Sequence, residues 1–252
     1  MKLGRVPEAI NASLEPILPY DERLELAKAL YDRGEIEAAL QVAEQGLKLD
    51  SAPPPSPELT AQLIESGGYN GRARGELAIW LRDRATERHE TARALAAGLI
   101  AFRAIPSLAA YQRAKQLAKA DWTDLRQELL DFLRQGQHVD GQTRIEIFLH
   151  ENLIDDAIQS TDRYTSSKTL AQVMDAAIKH QPRWVIDQAR QKAEPIMDEG
   201  KSAQYAEAVD WLRKVKQAYH TLGQDQEWRD YLGALREKHR RLRKLMPMLV
   251  TL

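Results

Sequence analysis

The densest chemistry in the chain is REKHRRLRK, Arg236 to Lys244, where six of nine residues are Lys or Arg. Clustered cations of this kind attract polyanions, because contact with a phosphate backbone releases condensed counterions without any reading of bases. A continuous helix over residues 224–244 would carry Trp228, Leu232, Leu235, His239, Leu242 and Met246 at alternating spacings of four and three. That stripe docks one side of the helix and leaves Arg236, Arg240, Arg243 and Lys244 on the other as candidate partner-binding residues. Two uses of such a face compete, a solvated surface and a phosphate contact. No aromatic or glycine interleaves with the cations, which favours the solvated surface.

Other chemistry finds little support. The chain has no cysteine, which removes disulfides, thiolate metal sites and a cysteine nucleophile. Its histidines (His89, His138, His150, His180, His220 and His239) never pair at helical metal-ligand spacing. His150-Glu151 lacks the second histidine of a metalloprotease helix. His89 and His180 fall at expected helix ends, where they help to cap carbonyls. The neighbours Asp155 and Asp156 point in different directions near a helix start, so they complement its dipole and do not form a catalytic dyad. Ser166-Ser167 reads as an N-cap. No nucleophile elbow, Walker loop or dinucleotide-binding glycine pattern appears. The reading is therefore no catalytic residue, no metal and no cofactor.

The elements that would carry the basic face are helices. Ala, Leu, Glu, Gln, Arg and Lys dominate, and no stretch alternates β-branched or aromatic residues. With 43% hydrophobic and 29% charged residues in 252, the composition suits stacked helices with a thin core. From Trp228 to Leu252 there are seven Lys/Arg against two Asp/Glu, so a basic tail follows an acidic remainder. No apolar run approaches the ~18 residues that span a bilayer, and no signal-peptide core is visible, so the expectation is a cytoplasmic, non-membrane protein.

Helices are expected over Ala9–Ile17, Asp21–Arg33 and Ile36–Leu49, then over about 76–88, 90–104, 107–119, 122–135, 142–151, 153–163, 168–180, 182–198, 202–221 and 224–244. SAPPPSP, Ser51 to Pro57, reads as a stiff connector and GGYNGRARG, Gly67 to Gly75, as a mobile loop. The expected organisation is one elongated domain over 1–252, with a weak subdivision into 1–49 and 76–252 joined by the Pro/Gly-rich linker 50–75. The five tryptophans, Trp80, Trp122, Trp184, Trp211 and Trp228, read as packing residues, with a subset able to anchor a partner in a groove.

Three helix pairs share a spacing of large, small and turn residues. Leu26, Ala27, Leu30, Gly34, Ala39, Ala43 and Gly46 form the first, with Pro53 beyond. Leu81, Ala94, Gly98, Ala101 and Pro106 form the second, with His89 where a turn glycine is expected. Ile145, Phe148, Asn152 and Ala157 form the third. Small residues let two helices cross closely, and Gly34 and Asn152 supply the positive φ of the turn. The period is irregular, so the expected fold is all-α, a TPR-like α-solenoid of antiparallel helix pairs wound as a right-handed superhelix.

The run YAEAVDWLRKVKQAYHTLGQDQEWRDYLGALREKHRRLRKLMPML resembles the last segment of bacterial SWIM zinc finger family proteins. AKALYDRGEIEAALQVAEQGLKL and ALAAGLIAFRAIPSLAAYQRAKQLA are similar to the helical region that precedes it in that family. The resemblance covers most of the chain and is weakest across residues 50 to 75. It implies the helical accessory region of such a protein. The family's CxC…CxH zinc motif has no counterpart in a chain without cysteine, so its zinc chemistry maps onto no residue here. The expected role is a protein-interaction scaffold whose partner is another protein or another part of its parent. The second expectation is a nucleic-acid-associated module working through residues 236–244.

Overall fold

Helices fill most of residues 19–47, 68–136 and 139–252, which a computed structural model describes, and no strand occurs among them. The protein is all-helical. The expected helix at Ala9–Ile17 and the SAPPPSP connector lie outside the described residues. The chain divides into two compact units, Met1–Thr143 and Arg144–Leu252.

In the first unit, α1 (Tyr20–Asp32) and α2 (Ile36–Leu47) pair with each other and pack on α3 (Gly68–Glu87). Leu30, Ala39, Leu40, Ala43, Leu77 and Leu81 close this core, all at most 3% exposed. Next, α4 (Thr91–Ala104) lies along α3, and α5 (Leu108–Ala118) packs on α4. Ser107 caps α5 by accepting from the Ala110 N–H at 3.1 Å. A 3-10 turn at Lys119–Asp121 leads to α6 (Trp122–Gln135), and α7 (Gly141–His150) follows. Arg93 ties α2 to the start of α4. Its Nε is 2.6 Å from Glu44 and its Nη2 is 3.2 Å from Glu37, while Nη1 holds Glu90. Hydrogen bonds from Arg88 and Arg93 hold the Glu90 carboxyl below its ordinary range.

The second unit continues with α8 (Ile154–Gln159), α9 (Ser167–Ala177) and α10 (Pro182–Asp198). A 3-10 turn at Ser202–Gln204 precedes α11 (Tyr205–Thr221), α12 (Asp225–Lys238) and the short α13 (Met246–Val250). Its core joins Met174, Val185, Ala189, Val209, Leu212 and Val215. Ser166 caps α9, accepting from the Thr169 N–H at 3.1 Å.

One turn geometry recurs. Gly34 (φ 83°), His89 (60°), Asn152 (57°), Gly200 (66°) and Gly223 (70°) are all left-handed. At Gly34 the N–H donates to the Tyr31 carbonyl at 2.9 Å, and the next N–H, from Glu35, donates to the Leu30 carbonyl at 3.0 Å. The same pair of bonds closes the other four turns, which satisfies the last carbonyls of the outgoing helix. A helix or 3-10 turn begins two residues after each left-handed residue. Five residues after it sits a buried side chain: Ala39, Ala94 and Ala157 at 0% exposure, then Tyr205 at 4% and Trp228 at 5%. The offset is constant while the side chain grows from a methyl to an indole.

Two sequence expectations are corrected. From Gly68 onward GGYNGRARG is not a loop but the start of α3. A Cβ at Gly75 would stand 2.5 Å from Ile105 Cγ1, so this glycine admits the end of α4 at close range. Close packing here outweighs the ~1 kcal/mol that a helical glycine costs. The division of the chain falls at 143/144, and α1 and α2 share their core with α3. The helix expected over 153–163 ends at Gln159. There Ser160 Oγ donates to the Asp156 carbonyl at 2.8 Å, beside the Ser160 N–H on the same oxygen, and Thr161 Oγ1 donates to that of Ile158 at 2.7 Å.

Candidate functional site

The apolar stripe of the basic segment is buried: Trp228, Leu232, Leu235 and His239 are 5–6% exposed, and Leu242 and Met246 pack against the same core. The helix beneath it is shorter than expected. It ends at Lys238, and residues 239–245 follow as consecutive turns before α13. A helix continued through this stretch would set Arg236 against Arg240, and Arg240 against Lys244, at like-charge i,i+4 spacing. Pro247 would also break its backbone ladder four residues after Arg243.

The four candidate cations therefore do not share one helix face. Arg236 is half-buried, and its Nη2 donates to the Leu249 carbonyl at 2.8 Å, tying α12 to α13. Arg240 is exposed and pairs with Glu237 at 2.7 Å. Arg243 and Lys244, with Arg241 beside them, are exposed on the turns and have no ion pair among the described residues. Arg236 is a fastening, Arg240 is partly neutralised, and three cations remain on a bent surface.

Sequence reading missed the polar contacts that α10 makes with α12. The Tyr231 hydroxyl donates to Glu194 Oε1 at 3.0 Å, and the Arg190 guanidinium lies 4.5 Å from the Tyr231 ring centroid. Arg190 Nε also donates to Glu194 at 2.8 Å. Burial and the Glu194 carboxylate push the Tyr231 phenol well up, so it stays a neutral donor. One helical step on, Asp198 pairs with Lys238 Nζ at 2.6 Å and faces His239 Nε2 at 3.4 Å. Burial lowers the His239 imidazole, with Lys238 adding to the shift and Asp198 opposing it. The signal was the i,i+4 series Arg190, Glu194, Asp198, a polar stripe on one face of α10.

Gly34 and Asn152 occupy left-handed turns, as does His89. The cap at His89 is its backbone N–H on the Thr86 carbonyl at 3.0 Å, not its ring. The tryptophans pack within their units. Trp80 meets Tyr31 edge-on at 5.9 Å, Trp122 meets Tyr111 at 5.2 Å, and Trp211 and Trp228 are 4% and 5% exposed. No cluster of metal-ligating side chains occurs among the described residues, and none of their helices is long and apolar enough to cross a membrane. No family model, curated protein or solved structure matches the chain.

Proposed function

We propose that this chain is a non-catalytic protein-interaction scaffold, the helical accessory region of a SWIM zinc finger-type protein acting in the cytoplasm. Its helix pairs are TPR-like and belong to a right-handed α-solenoid of antiparallel pairs. The observation that carries this reading is the recurring left-handed turn, with a buried side chain at a constant offset beyond it. Chains built from such units present extended surfaces that recognise other chains. The partner is a protein or another part of the parent protein.

Affinity capture of the full chain, repeated with nuclease and across salt concentrations, tests the proposal. A protein partner retained after nuclease, and bound again when purified, supports it. Recovery of only DNA or RNA, lost at high salt, overturns it.

The second reading, a nucleic-acid-associated module, rests on the exposed trio Arg241, Arg243 and Lys244. Such a module would bind generic duplex with an affinity falling by about one log unit per log unit of salt for each phosphate contact. Titration of labelled DNA at several salt concentrations decides it, and an absence of salt-dependent binding removes it.

A further inference from the structure

His239 is 6% exposed and stands where α12 ends and the basic turns begin. Its Nε2 lies 3.4 Å from Asp198 Oδ1, long for a hydrogen bond, and has no hydrogen-bond partner among the described residues. That same carboxylate oxygen is already held by Lys238 Nζ at 2.6 Å. The charged groups facing the ring are Asp198 and Glu194 from α10 and Lys238 from its own helix. The segment beyond starts from this residue's backbone and is also fastened by Arg236, whose Nη2 donates to the Leu249 carbonyl at 2.8 Å. The Leu242 N–H donates to the His239 carbonyl at 2.8 Å, and Leu242, Leu245, Met246 and Leu249 then cover the core of the second unit.

We propose that His239 is a proton-sensitive latch, which lets residues 240–252 pack down while its ring is neutral and loosens them when the ring is charged. An imidazolium at this position must give up most of its hydration. Its one close counter-charge is shared with Lys238, so the pairing returns less than a free carboxylate would.

The direction follows from linkage. In the loosened segment the ring takes its proton at the ordinary value of 6.5, and in the packed segment burial holds that value lower. Packing is therefore complete above about pH 6.5 and is lost progressively as pH falls from there toward the packed-state value. Acidification would free the basic turns and uncover the apolar side chains beneath them in one step.

Hydrogen exchange of the full chain, read by peptide between about pH 8 and about pH 5 and corrected for intrinsic rates, tests the latch. Protection of residues 240–252 should fall below about pH 6.5, by up to ~10-fold for each unit separating the two ring values, while α11 keeps its protection. His239→Phe should leave that segment's protection flat with pH, and His220→Gln, which alters an exposed histidine, should retain the wild-type profile. Constant wild-type protection overturns the proposal, as does equal loss across α11, which would signify global unfolding. So does a pH profile that persists in a folded His239→Phe or disappears in His220→Gln. Should His239→Phe fail to show a helical circular dichroism spectrum, the wild-type and His220→Gln profiles decide the matter.

Discussion

The turns at Gly34 and His89 close the same two backbone hydrogen bonds and lead into the next helix at the same offset. One uses a residue with no Cβ, and the other places a full side chain in the left-handed region. A Cβ at Gly34 would meet nothing within 4 Å, so its glycine answers a backbone demand and not a shortage of room. A left-handed non-glycine residue costs ~1–2 kcal/mol. Glycine, in turn, gives up ~0.4–1 kcal/mol through the freedom of its unfolded chain. The two residues therefore differ by little, and the packed helices on either side hold the turn in both cases. Glycine eases this turn without being required for it.

Three substitutions put that conclusion at risk. The largest effect is expected beyond the second turn, where Ala94 is 0% exposed beside Ala85 and Leu117. Ala94→Leu should destabilise the first unit by ~1–3 kcal/mol in urea unfolding, because the helices cannot part without losing contacts elsewhere. A neutral result would mean that packing does not hold the turn. Gly34→Val should cost ~1–2 kcal/mol in the same measurement, all of it backbone strain since the space is open. An unchanged unfolding midpoint would show that the turn relaxes. His89→Gly should act in the opposite direction and stabilise by roughly 0.5 kcal/mol, the small excess of left-handed strain over glycine's entropy. A loss of more than ~1 kcal/mol would give the imidazole a structural role.

The smallest effect should come from Arg240→Gln, Arg243→Gln and Lys244→Gln together. Each lies outside both turns and is exposed, so each should shift stability by no more than about 0.5 kcal/mol. Partner binding should be nearly unchanged. Micromolar, salt-dependent binding of generic DNA by the wild type, abolished by the triple change, would make the basic turns the functional surface.

The helices and their turns were legible because local chemistry decides them. Ala39, Ala94 and Ala157 mark the close crossings, and the residues five before them mark the left-handed turns. The start of α3 was not legible, because the reason for Gly75 is Ile105, thirty residues away and invisible to any local pattern. The basic segment was half legible. Its buried stripe keeps helical spacing from Trp228 to His239, so the residues that face the core were apparent. The helix nevertheless ends at Lys238, and a periodic stripe that runs on through Leu242 and Met246 gives no sign of that end. Nor could sequence assign Arg236 to a backbone carbonyl of α13, since that bond exists only once the chain has folded back.

The common entry and exit of the five turns has a consequence for how such a chain can change. A hairpin beginning after Gly34 and one beginning after His89 leave their turns through the same two hydrogen bonds and at the same offset, so either could be joined to the other's predecessor without inventing a new junction. Duplication, deletion or exchange at these points leaves the joint geometry intact and transfers the whole adjustment to the packed faces. There, the residue five positions on can vary from alanine to tryptophan. Sequence likeness between hairpins can then fade while the splice points persist as an architectural grammar.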